Sequence, residues 1–242
     1  MLVLLRKEFS TFFSSPMGYI VIGVFLVITS LFLWVFKGDY NILGSGYANL
    51  DGLFVLAPWL YLFLVPAITM RLFAEEQRNG TLELLLSRPI SRFSIVLSKY
   101  LAGLLLVVFS ILPTLVYFIS VYLLGDPIGS IDTGGTWGSY IGLIFLASVY
   151  AAIGVFSSSL TDNQIIAFII AAVISFFFYY GFDLLSLMFT TGTSQSFIAS
   201  WGINAHYESM SRGVIDSRDV IYFLIVNFIF VYATKMKIEH KQ

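Results

Sequence analysis

Three features of the sequence predict an all-α integral membrane protein that crosses the bilayer six times: a shortage of charge, six long apolar runs, and a one-sided distribution of Lys and Arg. Of 242 residues, only 11% are charged and 58% are hydrophobic, and the mean hydropathy is +0.90. A soluble domain carries roughly 25% charged residues. This chain has too few to cover a water-facing surface and must bury its apolar side chains in lipid or against partners. A net charge of −1 gives no global pull toward nucleic acid, and the absence of cysteine excludes disulfides and thiolate metal sites.

The apolar runs cover residues 17–36, 53–70, 101–124, 137–157, 165–182 and 220–234, and none contains Asp, Glu, Lys, Arg or His. In hydrocarbon every backbone polar group must be satisfied within its own segment, so each run reads as a helix. The last is short for a core of ~30 Å and has room to grow by a turn at either end. The first follows Arg6 and Lys7, as a secretory signal would. It is long enough to span, however, and it runs into Lys37-Gly38-Asp39 rather than a small-residue cleavage site, so it reads as an uncleaved span. With the N-terminus inside, ten of the 13 Lys and Arg fall on the inner side and only Lys37, Arg212 and Arg218 on the outer. The positive-inside rule then puts both termini in the cytoplasm.

Three segments lie outside the runs. At the start, Leu2, Leu5, Phe9 and Phe12 recur at spacings of three and four, with Arg6, Lys7, Ser10 and Thr11 between them. This stripe predicts an interfacial helix with its apolar face at the lipid boundary and its basic face among headgroups. Residues 71–100 form the longest and most charged inner segment. Residues 183–219, on the outer side, mix polar residues with Leu184, Leu185, Leu187, Met188, Phe189, Phe197, Ile198 and Trp201. They read as short re-entrant or capping helices, with Asp216 capping the final span and Asp219 in its first turn.

The inner segment has an ordered grammar, from Glu75-Glu76-Gln77-Arg78-Asn79-Gly80 through Thr81-Leu82-Glu83-Leu84-Leu85-Leu86 to Ser87-Arg88-Pro89. Gly80 can close a first short helix in the left-handed conformation, and Thr81 can cap a second. Glu83 falls in the favourable first turn, Pro89 forces a break, and Ser91 can cap the helix of the third span. The expected product is a compact helical knuckle with an apolar side of leucines and a charged side made of Glu75, Glu76, Arg78 and Glu83. A solvated loop with incidental charge would not need that order of stop, cap, acid, apolar run and proline.

This pattern, Glu-Glu-x-x-x-Gly-Thr-x-Glu-x-Leu-Leu followed by a proline, resembles the signature of the ABC-2 permeases, the membrane subunits of a class of ATP-binding-cassette exporters. Lys7-Glu8-Phe9, Phe13-Ser14-Ser15-Pro16, Ser98-Lys99-Tyr100 and Arg212-Gly213-Val214-Ile215-Asp216 fit as well, so the resemblance covers nearly the whole chain. Arg88 departs from the small or hydroxyl residue the family often carries before the proline. Within the family the chain most resembles the permease associated with gliding motility in Bacteroidetes (GldF-like).

The resemblance implies a single ABC-2 permease domain over residues 1–242, of the type V exporter fold. It would hold six transmembrane helices, an N-terminal interfacial helix, a cytoplasmic coupling helix within 71–100 and outer re-entrant helices within 183–219. It implies a dimer with a second permease, alike or different, in the bacterial inner membrane. It also implies a separate ABC ATPase subunit that carries ATP and Mg, and leaves room for an accessory membrane or periplasmic subunit. The coupling role is carried onto Glu75, Glu76, Gly80, Thr81, Glu83, Leu84 and Pro89. Because the family places its fifth helix centrally, Ala167, Ala171 and Ser175, four apart, are expected on a dimer face, with Phe176 and Tyr179 near the outer end of the path. Packing within one subunit is the alternative, and is preferred for Gly138 and Gly142 on the fourth run.

No cofactor is expected in this chain. A P-loop needs G-x-x-x-x-G-K-[ST], and no Gly-Lys pair occurs. An intramembrane serine protease is disfavoured because the two histidines, His206 and His240, lie outside the runs. An ion-coupled secondary transporter would ordinarily place acids or bases within them, although helices broken at Pro58, Pro66 or Pro113 could still bind cations through carbonyls. A simple membrane anchor would explain the runs but not the knuckle. The uncharged runs disfavour recognition of a small ion deep in the membrane and suit a lipidic or polymeric cargo, or mechanical signalling without cargo.

Overall fold

The computed structural model describes residues 2–189 and 191–240, and among them it contains helices and no strand. Helix α1 (Leu2–Ser14) leads into α2 (Pro16–Ser30), which ends in a π-helical turn, Leu31–Val35. A short α3 (Ile42–Ser45) precedes α4 (Asp51–Thr69), which continues after a break at Met70 as α5 (Arg71–Arg78). Then come α6 (Leu82–Leu86), α7 (Arg92–Ile111), a 3-10 turn at Leu112–Thr114, and α8 (Leu115–Leu124). The long α9 (Thr133–Leu160) is followed by α10 (Gln164–Phe176), a π-helical segment Phe177–Gly181, and α11 (Phe182–Ser186). Helices α12 (Gly192–Ala199), α13 (Ile203–Ser211) and α14 (Ser217–Glu239) complete the chain.

Among the described residues, six helical stretches are long and apolar enough to cross a membrane: Pro16–Val35, Asp51–Arg78, Arg92–Leu124, Thr133–Leu160, Gln164–Ser186 and Ser217–Glu239. They extend past the apolar runs because capping, not hydropathy, sets their ends. Ser15 accepts from Met17 N–H with Pro16 in the first turn, Ser91 from Ser94 N–H, Asp132 from Gly135 N–H, Asn163 from Ile165 and Ile166 N–H, and Asp216 from Arg218 N–H. Pro58 and Pro66 stay inside α4, whereas Pro113 lies in the 3-10 turn that divides the third span.

Helix α9 is the centre of the bundle. It packs against α4, α7, α10, α13 and α14, and Leu146, Ala147, Val149, Tyr150, Ala151, Ala152 and Ile153 in its middle are wholly buried. Small residues admit the neighbours. A Cβ at Gly154 would lie 2.0 Å from Thr69 Oγ1, one at Gly142 would lie 2.7 Å from Met210 Cβ, and one at Gly138 would lie 2.4 Å from the Gly213 carbonyl oxygen. Gly138 and Gly142 therefore serve packing within the chain. Gly213 must be glycine for a second reason: its φ of 82° closes α13 in the left-handed region.

The fifth span corrects one expectation. Ala167, Ala171 and Ser175 are fully buried, and Tyr179 nearly so, on the side of α10 that packs against α9 and α4. The chain's own helices already cover this stripe, so it is not free to form a dimer face. The exposed side of the span carries Ile165, Ile169, Val173 and Phe176 instead. The N-terminal helix also differs from a purely interfacial one. Phe9 and Phe13 stack edge-on against Phe109 of the third span, at 6.0 and 5.1 Å between centroids, and Phe12 is buried.

Helices α11–α13 cap the end of the bundle opposite the α5–α6 knuckle. The α13 helix packs on α9, and its Tyr207 hydroxyl donates to the Phe54 carbonyl at 2.8 Å.

Candidate functional site: the knuckle and the charges beneath it

The break at Met70 leaves the first amide groups of α5 without helical partners. Ser158 of α9 supplies one: its hydroxyl accepts from Phe73 and Ala74 N–H at 2.9 and 3.0 Å and donates to the Met70 carbonyl at 2.8 Å. Gln77 adds bonds from its side-chain amide to the carbonyls of Ser158 and Ser159. The first half of the knuckle is thereby fastened to the central span.

At its far end, α5 closes in a Schellman motif. Gly80, at φ 66°, donates to the Gln77 carbonyl at 3.2 Å, and Thr81 N–H donates to the Glu76 carbonyl at 2.9 Å. Thr81 is not the side-chain cap its type suggests. Its backbone is already helical, and its hydroxyl donates back to the Glu76 carbonyl at 3.4 Å rather than accepting from α6. Glu83 falls in the first turn of α6, as the order of residues predicts. Leu82 is buried, while Glu83, Leu84, Arg88 and Pro89 are exposed, Leu84 to 68%. These four form a ridge at the tip. An open groove of about 640 Å³ separates the ridge from α1, lined by Val3, Leu4, Lys7, Leu84, Leu85 and Arg88 among others.

Glu76 does not join Glu75 on an outer charged side. It turns inward, into a cluster built from three helices. Lys99 of α7 is wholly buried. Its Nζ lies 2.9 Å from Glu8 Oε1 of α1 and 3.0 Å from Glu76 Oε2 of α5, and it donates to the Leu72 carbonyl. The Glu76 Oε2 contact is an ion pair rather than an aligned hydrogen bond. The Lys99 ammonium also sits 5.0 Å over the Phe73 ring. Lys7 completes the group from its exposed side, 3.0 Å from Glu76 Oε1 and 3.8 Å from Glu8 Oε1. Partial burial disfavours the Lys7 charge. The hydrogen bond to Glu76 and the carboxylates of Glu76, Glu8 and Glu75 outweigh it, so its pKa is raised above the ordinary lysine value. Two cations and two carboxylates balance, which is the condition for keeping charges out of water.

Glu8, Lys99 and Ser158 are the residues that sequence reasoning missed in this role. The signal for Lys99 was present: it lies eight residues beyond the Ser91 cap, two turns inside a helix, with Glu8 as a nearby acid on the N-terminal stripe. Glu75, Gly80, Thr81, Glu83, Leu84 and Pro89 stay on the knuckle. Ala167, Ala171, Ser175, Phe176 and Tyr179 lie apart from it, on the fifth span.

The sequence pattern of the family described as "ABC-2 family transporter protein" matches residues 2–211, most of the chain. The chain belongs to that family. The matched stretch of this ABC-2 protein takes in α1, the knuckle, the first five spans and the cap helices. No curated protein matches the sequence. Membership agrees with the all-α architecture and its six candidate spans, and makes the chain a membrane component of transport rather than a catalyst. An ATPase partner belongs to the general design of such permeases.

Proposed function

We propose that this ABC-2 protein is the permease subunit of an ABC transporter in the bacterial cytoplasmic membrane, with both termini and the knuckle inside. A separate ATPase subunit, carrying ATP and Mg, rests on the ridge of Glu83, Leu84, Arg88 and Pro89, with Glu75 at its flank. Its movements pass to the membrane helices, and a second permease completes the assembly. The observation that carries this reading is an exposed ridge that follows α5 directly in the chain, while Glu76 of α5 enters a charge cluster around the wholly buried Lys99. A displaced α6 drags α5, and α5 is tied by Glu76 to α1 and the third span and by Ser158 to the fourth. The work done is export, or drive for gliding-motility or secretion machinery of the kind served by the GldF-like permeases.

The test is reconstitution of the permease with the ATPase that co-purifies from native membranes, comparing wild type, Glu83→Lys and Pro89→Ala. Glu83→Lys places a positive charge at a helix N-terminus, costing about 0.3–1 kcal/mol of dipole interaction, and inverts the charge offered to the partner. The expected result is normal insertion with weakened association or uncoupled ATP turnover. Unchanged assembly and activity in both variants would remove the knuckle from the coupling path, and ATP hydrolysis by the purified chain alone would overturn the assignment.

A further inference from the structure

We propose that the chain carries a binding site for a diacyl phospholipid: an acyl chain lies in a groove between the first, second and fifth spans, and the phosphodiester pairs with Arg71. The groove holds about 360 Å³ and is lined by Val21, Val24 and Phe25 of α2, Phe63 and Ala67 of α4, and Phe168 of α10, among others. Among the described residues its walls carry no polar side chain. Its volume falls in the ~300–1,000 Å³ range of small-molecule sites. Val24 and Phe63 on its rim are exposed. Both belong to apolar spans, so the groove opens sideways onto hydrocarbon rather than water.

Arg71 stands at the end of this groove nearer the knuckle. It follows Ala67 by one helical turn, which brings it back to nearly the same side of the helix. Its guanidinium lies 4.8 Å over the Phe12 ring. That ring fills the elbow between α1 and α2, where a Cβ on Gly18 would lie 2.7 Å from it, and Gly18 comes just before Val21 of the groove wall. The cation and the apolar trough therefore share one corner of α2 and α4.

The Arg71 charge is otherwise unmet. Its Nη2 is buried and has no hydrogen-bond partner. Among the described residues no carboxylate pairs with it: Glu8 and Glu76 are held by Lys7 and Lys99, and the half-exposed Glu75 acts on it only from a distance. A buried donor on a charged group is costly until an acceptor meets it. A phosphodiester is an acceptor-only anion that suits the guanidinium fork. An uncharged trough that ends in an unpaired cation has the layout of an anionic head on a hydrocarbon tail. The site needs neither the ATPase nor a particular orientation in the membrane. With the orientation proposed above, the headgroup belongs to the cytoplasmic leaflet.

Native mass spectrometry of the purified full chain, delipidated in detergent, tests this with three probes: dioleoyl phosphatidylglycerol, dioleoylglycerol, which has the same chains and no phosphate, and inorganic phosphate. The expected result is saturable binding of one phosphatidylglycerol per chain. Dioleoylglycerol should bind at least about tenfold more weakly, the size of one charge-assisted contact, and inorganic phosphate should not displace the lipid. These arms use the wild-type chain and stand whether or not any variant folds. Arg71→Gln should weaken phosphatidylglycerol binding by a similar factor of about ten, and Ala67→Phe, which fills the groove, should weaken it with Arg71 intact. Lys37→Gln removes a cation at the other end of the first span and should bind as wild type does. Equal binding of the two lipids by wild type would overturn the site. So would displacement by inorganic phosphate alone, unchanged binding in both Arg71→Gln and Ala67→Phe, or a dimer of the chain that takes up no lipid.

Discussion

Replacing Lys99 with Met asks what the buried joint contributes. The substitution keeps the unbranched apolar stem, ends where the ammonium began, and removes the charge from a site with no solvent exposure. Glu8 loses its 2.9 Å partner, Glu76 loses one at 3.0 Å, and the Leu72 carbonyl loses its donor. Removing one member of a buried ion pair typically costs about 3–5 kcal/mol, because the partner's charge is stranded. Lys7 stays 3.0 Å from Glu76 and 3.8 Å from Glu8 and offsets part of this. The expectation is therefore the lower end, about 3 kcal/mol. At about 2–4 °C per kcal/mol for a chain of this size, that is a fall of about 6–12 °C in melting temperature, read by thermal denaturation followed by size-exclusion chromatography in detergent. The triple variant Lys99→Met, Glu8→Gln, Glu76→Gln, which leaves only the exposed Lys7 charged, should recover most of the loss, since the penalty comes from stranded carboxylates rather than from missing attraction. A triple variant as unstable as Lys99→Met alone would refute the reasoning, because the loss would then be one of packing.

Other expectations follow from the same contacts. Gly154→Ala should cost about 1–3 kcal/mol through overpacking against Thr69, and Thr69→Ala in the same chain should restore part of it in the same melt. Ala171→Leu should destabilise the single chain by a similar ~1–3 kcal/mol, whereas a cysteine at Ala171 should give no cross-linked dimer in intact membranes. Since the chain has no cysteine, single cysteines at Ser45 and Thr133 should label from outside the cell and one at Ser87 should not; external labelling at Ser87 would reverse the proposed orientation. The Lys7 contribution runs with its raised pKa: it is fully present below the ordinary lysine value of about 10.5 and is lost as pH climbs through the higher folded value. The difference in stability between wild type and Lys7→Met should thus be flat from about pH 6 to 9 and narrow only in stronger alkali.

The fold was legible because lipid leaves the backbone few choices. Six runs without charge could only be helices, and Ser91, Asp216, Gly80 and Pro89 mark helix ends by local chemistry that needs no tertiary knowledge. What was not legible depended on which way a residue faces. Glu75 and Glu76 are adjacent and look alike, yet a helical rotation of about 100° separates a half-exposed carboxylate from a buried one. Ala167, Ala171 and Ser175 have the spacing of a dimer seam, but spacing does not say whether the partner is another chain or α9. The π-helical turns at Leu31–Val35 and Phe177–Gly181 carry no proline or glycine signal within the first four residues of either. Thr81 has a capping side chain, but the preceding Schellman turn had already fixed its backbone as helical.

The central position of α9 has a consequence for how the chain is made. The first three spans are synthesised before α9, and until residue 160 follows them they lack the surface on which α4, α5 and α7 settle. Thr69 waits for Gly154, and the open amides of Phe73 and Ala74 wait for Ser158. The last span then arrives to cover the opposite side of α9. Biogenesis must accordingly hold three incompletely packed helices together in the membrane, and a quality-control protease would find its widest opportunity in that interval.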